Sequence, residues 1–360
     1  MLVDLDYFFA QAEELRNPVL CGKPVIIGVY SGRTDESGAV STANYEARKF
    51  GVKSGMPLFL ARRKLVGVDA VFLPVDHDYY EQVSNKLMMI FRSYADVLEQ
   101  VSIDEAYLDV TLRVHGSFEG AKSLAEQMKA DVKHQMRVTF SVGIGPNKLV
   151  AKVACDSQKP DGLTIVYPDE VEAFLNPLPI DRLMGIGKKT CLKMNELGII
   201  TIRDLAKFDV QKLMTTFGKT LGVYFHNAAN GIDDEPVLEA GEAESISRIA
   251  TLKQDSTDLQ FILEKTDPLA AEVHDELMKK GLNFRQIGII MILTDLTTRS
   301  RMQTLEQPTK NLEILKKSVQ NLLSKYLETT DKPIRRIGVK VSQLTKEESK
   351  QKPLEAFFTR

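Results

Sequence analysis

Ser102-Ile103-Asp104-Glu105-Ala106-Tyr107-Leu108-Asp109 sets two adjacent carboxylates between two strand-like runs, and its reading decides the fold of the chain's first part. Successive side chains of a regular strand point to opposite faces. Asp104 and Glu105 can therefore reach one ion together only where the chain turns, and a hairpin supplies that turn. Ahead of it, Val83, Leu87, Ile90, Phe91, Tyr94 and Leu98 recur at helical spacing within 78–98. Beyond it, a helix fits 118–135 and 137–144 reads as a further strand. Residues 1–5 read as a short buried strand, and Asp6 sits where a helix N-cap belongs, ahead of Tyr7-Phe8-Phe9-Ala10. The resulting β-α-β-β-α-β order is ferredoxin-like. A Gly- and Pro-punctuated segment, 9–74, is inserted after the first strand, with a strand-like run at 24–30.

The same hairpin brings Asp104 and Glu105 beside Asp4, in the run Val3-Asp4-Leu5-Asp6-Tyr7-Phe8-Phe9. Crowded carboxylates are costly unless a hard cation neutralises them, and Mg²⁺ is typically held by one or two carboxylates plus substrate phosphates. Two such ions clamp the attacking and leaving oxygens of a phosphoryl displacement, so the acids point to two-metal nucleotidyl transfer. The alternative is that they are ordinary surface acids in turns.

At 360 residues and 43% hydrophobic the chain has material for two or more cored domains. A formal net charge of −2 carries no global signature of nucleic-acid binding, which must rest on local basic stretches. Cys21, Cys155 and Cys191 lack C-x-x-C spacing and the five histidines complete no ligand pattern, which argues against structural zinc and disulfides. No apolar run reaches membrane-spanning length and the N-terminus lacks a leader pattern, so no membrane partner and a cytoplasmic protein are expected.

Residues 164–231 read as helical and carry Leu183-Met184-Gly185-Ile186-Gly187-Lys188-Lys189-Thr190, then Leu197-Gly198-Ile199. A Gly-x-Gly turn of this kind lets backbone N–H groups approach a phosphate closely, with Lys188 and Lys189 adding charge. An acidic stretch at 232–244 reads as a tether, and 245–345 repeats the β-α-β-β-α-β order, a repeat of topology rather than of sequence. In its last strand Arg336 and Lys340 share a face by period two and Arg335 points the other way; Arg299 and Arg301 on the preceding hairpin are further candidates. The tail 346–360 holds Gln351, Leu354, Phe357 and Phe358 in a Q-x-x-Φ-x-x-F-F pattern, which puts its apolar groups on one side of a helical turn.

Both acidic segments, together with Ser41-Thr42-Ala43-Asn44-Tyr45-Glu46-Ala47-Arg48-Lys49-Phe50-Gly51 between them, resemble the catalytic motifs of the Y-family, or translesion, DNA polymerases of the archaeal lesion-bypass type. The resemblance extends from residue 1 to about 345, and Met184 stands where the family usually has proline. The family also has slightly more strand ahead of the first acid.

The resemblance implies an α+β, multidomain protein: palm 1–8 and 75–163, fingers 9–74, helix-hairpin-helix thumb 164–231, tether 232–244, little finger 245–345 and a tail at 346–360. It implies two Mg²⁺ ions, with Mn²⁺ able to substitute, held by Asp4, Asp104, Glu105 and the backbone carbonyl of Leu5. For the dNTP it implies Tyr7, Thr42, Tyr45, Arg48 and Lys159, with Phe9 excluding a 2′-hydroxyl. Gly185, Gly187, Lys188, Lys189, Arg299, Arg301, Arg335, Arg336 and Lys340 become contacts to primer-template DNA, and the tail becomes a sliding-clamp ligand. A monomer with low fidelity and no proofreading is expected, acting in translesion synthesis. A nucleotidyl cyclase, which shares the palm, and a non-catalytic DNA-binding clamp accessory are the competing readings.

Overall fold

The computed structural model describes residues 1–239, 241 and 243–346. β1 (Leu2–Leu5) is buried along its whole length. It is followed by α1 (Phe8–Arg16), β2 (Val25–Tyr30), β3 (Gly38–Ala43), α2 (Tyr45–Lys49), α3 (Leu58–Lys64) and β4 (Val71–Pro74), the last three strands forming a sheet in the order β3-β2-β4. Next come α4 (His77–Ser93), β5 (Val97–Gln100), β6 (Glu105–Asp109), α5 (Phe118–Met136), β7 (Phe140–Ile144), α6 (Lys148–Ser157) and β8 (Leu163–Ile165). The first sheet runs β5-β6-β1-β7-β8. Its first four strands have the neighbour order of a ferredoxin-like motif, and β8 adds a parallel fifth beside β7.

Two local expectations are corrected. α4 begins beyond Asp76, whose carboxylate accepts from the Tyr79 amide at 3.2 Å, and ends at Ser93; Leu98 lies on β5 instead. An apolar residue every third or fourth position continues by coincidence into a strand, so periodicity alone overshot. Asp6 is not the cap of α1 either. That position is Tyr7, in the left-handed region at φ 38°, with no side-chain cap bond, while Asp6 is buried.

The two faces of the first sheet differ. Val3, Leu5, Ala106, Leu108, Phe140 and Val142 pack with Leu87 and Phe91 of α4 and Ala125 and Met128 of α5. On the other face Leu2 and Tyr107 meet Ala151 and Cys155 of α6. That approach is close: a Cβ on Gly143 would fall 2.0 Å from the Ala151 carbonyl oxygen and 2.4 Å from the Cys155 nitrogen. Glycine is required there by contact with a neighbouring backbone.

α7 (Val171–Leu175), α8 (Lys188–Glu196), α9 (Ile202–Ala206), α10 (Val210–Phe217) and α11 (Lys219–Ala229) follow, sharing a core that includes Ile186, Met194, Leu205, Leu213 and Phe225. The acidic stretch after them is not free through residue 239. Asp233 accepts from the Leu149 amide at 3.0 Å, Glu99 accepts from the Leu238 amide at 3.1 Å, and Lys148 pairs with Glu235 at 3.3 Å.

The remaining elements are β9 (Ser245–Ser256), α12 (Leu259–Lys280), β10 (Leu282–Leu293), β11 (Thr298–Thr309), α13 (Leu312–Leu327), β12 (Ile334–Ser342) and β13 (Thr345–Lys346). Their sheet runs β11-β10-β12-β9, with β13 on β10. The β-α-β-β-α-β order along the chain is as expected, but the topology is not a repeat: the central strands are the second and fourth of the motif here, and the first and third in the first sheet. Element order fixes the hairpin, not the edge that each crossover strand joins.

Tertiary contacts divide the chain into two compact units, one of 1–28, 40–56 and 61–241, the other of 29–39, 57–60 and the described residues after 242. Among the described residues no helix is long and apolar enough to cross a membrane.

Candidate active site

Strand register builds the acidic centre. Asp4 on β1 lies opposite Glu105 on β6 and Ser141 on β7, so all three share the face that α6 covers. Asp104 precedes β6 in the turn; its carbonyl accepts from the Leu5 amide at 2.9 Å and its carboxylate accepts from Ser102 Oγ at 2.5 Å. The chain thus breaks between the two adjacent acids, as two adjacent carboxylates serving one site require.

Two ammonium groups fill the centre. Lys152 Nζ bonds Glu105 and lies 3.2 Å from Asp4 and 3.4 Å from Asp156. Lys159 Nζ lies 2.5 Å from Asp4 and 3.1 Å from Asp156. Burial pushes the Glu105 carboxyl above its ordinary range, against the pull of Lys152. Burial alone would lower the Lys152 ammonium, but its bond to Glu105 and the charges of Asp156 and Asp4 outweigh this and hold it high. Lys159 is raised in the same way, chiefly by Asp4 against burial. Desolvated acids need a counter-charge, and here lysines supply it.

Among the described residues no set of three or more His, Cys, Asp or Glu is gathered as a metal cage. The donor chemistry still fits a hard divalent cation. Asp4 and Glu105 offer oxygens from facing strands, and the ammonium groups between them stand where a cation's charge is called for.

A cavity of about 320 Å³ opens beside the acids, and Asp4, Leu5, Tyr7, Thr42, Tyr45, Arg48, Asp104 and Lys159 all line it. Residues from separated segments of the sequence meet there. Asn44 starts α2 by accepting from the Ala47 amide at 3.0 Å, which directs Tyr45 and Arg48 to the cavity. The Arg48 guanidinium lies 4.6 Å from the Tyr45 ring centre, and its Nε donates to the Ala43 carbonyl at 2.8 Å. Tyr7 meets Tyr45 edge-on at 5.5 Å. Burial, outweighing Arg48, pushes the Tyr45 hydroxyl up, so it stays a donor at neutral pH. Phe9 is half-buried and stacks on Tyr80 at 4.5 Å; among the described residues that line this cavity it does not appear, nor does Glu105.

The basic candidates separate into groups. Gly185 takes the left-handed region at φ 81°, Gly187 caps α8, and Lys188 and Lys189 open that helix, exposed. A Cβ at Gly187 would meet nothing within 4 Å, so its openness is toward the outside. Two lysines at a helix N-terminus oppose the macrodipole, an arrangement that an arriving phosphate relieves. On β12, Ile337, Val339 and Val341 face the core, which puts Arg336 and Lys340 together on the open face and leaves Arg335 at a register shift. Arg336 Nε is buried without a hydrogen-bond partner.

Arg299 and Arg301 do not join them. The register pairs them with Met291 and Ile289, core residues on the helix-covered face, and Arg301 lies 5.3 Å from the Tyr326 ring of α13. The hairpin's sequence alone does not give this face, because a one-residue offset in register reverses it. Gln351, Leu354, Phe357 and Phe358 lie outside the described residues.

Lys152 was missed by the sequence reading. The signal was available: Lys148, Lys152, Asp156 and Lys159 are spaced at four, eight and eleven residues from the first, a charged helical face opposite Leu149, Val150, Val153 and Ala154.

The chain matches family models described as impB/mucB/samB family over 3–156, impB/mucB/samB family C-terminal domain over 243–354, and DNA polymerase-iota, thumb domain, over 181–233. It is 46% identical to a DNA polymerase IV of Nitrosopumilus maritimus, over 99% of this chain and 98% of the relative, and 44% identical to one of Methanosarcina acetivorans, over 96% and 95%. Among solved structures it resembles a Y-family DNA polymerase chimera of Dbh and Dpo4 (TM-score 0.91, 38% identity, covering 96% of this chain and 99% of that one). It also resembles an insertion ternary complex of Dbh DNA polymerase (TM-score 0.70, 37% identity, covering 96% and 99%). With three matched models spanning most of its length and relatives aligned nearly end to end, the chain belongs to the Y family of DNA-directed DNA polymerases.

Proposed function

We propose that the chain extends a primer by template-directed, two-metal nucleotidyl transfer from a dNTP, with low fidelity and without proofreading, in translesion synthesis. The observation that carries the mechanism is the single polar cavity in which Asp4, Asp104, Tyr45, Arg48 and Lys159 converge from distant parts of the sequence. Family membership sets aside the cyclase and accessory-protein alternatives. The division into palm, fingers, thumb and little finger, with the boundaries given above, is part of the same reading, as are a monomeric state and a cytoplasmic, nucleoid-associated location.

Asp4, Glu105, Asp104 and the Leu5 carbonyl would hold Mg²⁺ or Mn²⁺. When bound, the ions would lower the cost of bringing the primer 3′-hydroxyl to the α-phosphate and stabilise the departing pyrophosphate. Lys159 and Arg48 offset the triphosphate's charge, and the protonated Tyr45 hydroxyl donates to a phosphate oxygen. Asp104 is freed by turning from Ser102. Phe9 blocks the 2′ position of an incoming sugar. Gly185, Gly187, Lys188 and Lys189 bind the duplex backbone without reading sequence, and Arg336 and Lys340 do so from the open face of the β11-β10-β12-β9 sheet. In this reading the small inserted segment at 9–74 leaves few groups to check a nascent pair.

The test is Asp104→Ala and Glu105→Ala, compared side by side in primer extension and a gel-shift titration. Extension should fall by at least about a thousandfold, roughly 4 kcal/mol in barrier terms, with DNA affinity within about twofold. Extension within about tenfold of wild type would remove these acids from the chemistry.

A further inference from the structure

Asp6 is spent in an unusual way. The residue is 1% exposed, and its carboxylate is met by neutral donors: Ser141 Oγ donates at 2.8 Å and the Asp161 amide at 2.7 Å. Burying a carboxylate is expensive unless its oxygens are satisfied by hydrogen bonds, and a group that only capped a helix would sit in water. The donors identify its object. Asp161 lies two residues beyond Lys159, in the turn that returns from α6 to β8, and takes the left-handed region at φ 55°. Ser141 Oγ also accepts from the Gly162 amide at 3.3 Å, so one carboxylate and one hydroxyl hold two consecutive amides of that turn.

The anchor itself is fixed. Gln11, also buried, donates to the Asp6 carbonyl at 2.7 Å and to the Thr139 carbonyl at 3.0 Å, and accepts from the Thr139 amide at 2.6 Å. The end of β1 is thereby tied to the start of β7, with Asp4 only two positions away. Lys129 holds the same turn through the Asp161 carboxylate at 2.7 Å and the Gly162 carbonyl at 3.3 Å, and ties it to β7 by donating to the Phe140 carbonyl at 2.5 Å. The turn is clamped twice, and the lysine it carries reaches Asp4 at 2.5 Å.

We propose that Asp6 is a positioning residue for Lys159: its buried carboxylate fixes the 157–162 turn to the end of β1 so that the ammonium is aimed at the triphosphate. The inference rests on the triphosphate role given above to Lys159. A lysine on a free turn would have to be ordered anew for every nucleotide, and pre-organising it removes that cost from binding.

Single-nucleotide insertion by the full chain tests it, with kcat and KM for the dNTP measured for wild type, Asp6→Ala, Asp6→Asn, Lys159→Ala and the Asp6→Ala/Lys159→Ala pair. Asp6→Ala should raise KM for the dNTP by about tenfold or more while kcat falls less, with unchanged primer-template affinity. Asp6→Asn keeps an acceptor for the Asp161 amide and should recover part of the loss. In the Lys159→Ala background the same change should cost less than about threefold, since no lysine remains to be aimed. Hydrogen exchange of a peptide covering 158–163 should quicken in Asp6→Ala while peptides of β1 and β7 stay protected. Should Asp6→Ala fail to fold, Asp6→Asn and Ser141→Ala carry the comparison, each with a smaller shift in the same direction. A full-sized loss in the Lys159→Ala background, or a fall in kcat alone, would make Asp6 a general support of the fold and overturn the proposal. If Lys159→Ala leaves KM unchanged, the triphosphate assignment fails and the proposal with it; if only Asp6→Ala is silent, the assignment stands and the proposal alone falls.

Discussion

Lys152 shows how the acidic centre sets a folding problem that one side chain answers. Asp4 and Glu105 face each other across adjacent strands, and without a cation between them their repulsion and desolvation are uncompensated. Lys152→Met keeps the stem and removes the charge. In chelator it should therefore lower the melting temperature by a few degrees, in line with a loss of about 1–2 kcal/mol once the remaining Lys159 pair and partial exposure are allowed for. Added Mg²⁺ or Mn²⁺ should raise the midpoint of the variant more than that of wild type, because the ion supplies the missing charge. A smaller metal-induced rise in the variant than in wild type would show that Lys152 helps the ion bind rather than standing in for it. Phe9 makes a different demand on the same region. Its ring stacks on Tyr80 at 4.5 Å, and under the proposed role it is the wall that a 2′-hydroxyl would strike. Phe9→Ala should raise ribonucleotide incorporation by at least tenfold with dNTP use within about threefold, read by insertion of matched rNTP and dNTP; an unchanged ratio would return Phe9 to the core.

At the level of elements, the strand pair around Asp104 and Glu105 was legible because only a turn reconciles two adjacent acids with one site, and β5, β6 and the register with β1 follow that logic. The face each residue occupies was less legible. Arg336 and Lys340 could be placed by period two because β12 alternates cleanly with Ile337, Val339 and Val341, whereas Arg299 and Arg301 needed the pairing with Met291 and Ile289 to reveal their side. Asp6 reads as a cap from its position, and its burial depends on Ser141 and Asp161, far away in the sequence. The face assignment has a measurable consequence. Arg336→Ala with Lys340→Ala should weaken primer-template binding alike on all sequences and reduce the slope of log affinity against log salt by roughly 1–2, since each phosphate contact releases about one counterion. Arg299→Ala with Arg301→Ala should leave that slope nearly unchanged. Equal slopes for both pairs would mean that register does not sort these charges.

Across the whole molecule, the two larger of the three sheets differ in what they carry: β5-β6-β1-β7-β8 gathers acids beneath α6, and β11-β10-β12-β9 presents Arg336 and Lys340 on an open face. The segment Gln351-Lys352-Pro353-Leu354-Glu355-Ala356-Phe357-Phe358 lies outside the described residues. Its Leu354, Phe357 and Phe358 fall on one side of a single helical turn if the segment forms one, as a groove-binding peptide requires. A clamp encircling DNA would then act on the polymerase by tethering, raising its effective concentration at the primer end without changing the acidic centre. Deleting 351–360, or replacing Phe357 and Phe358 by Ala, should leave distributive synthesis within about twofold of wild type and abolish stimulation by the host's sliding clamp. Calorimetric titration of a peptide spanning 349–360 against that clamp checks the contact directly, with binding in the micromolar range, about −8 kcal/mol, expected for a short peptide with three apolar anchors. A peptide that does not bind, together with a truncated enzyme stimulated like the intact one, would remove the clamp as a partner of this segment and leave the polymerase to find primer ends through its own basic surfaces.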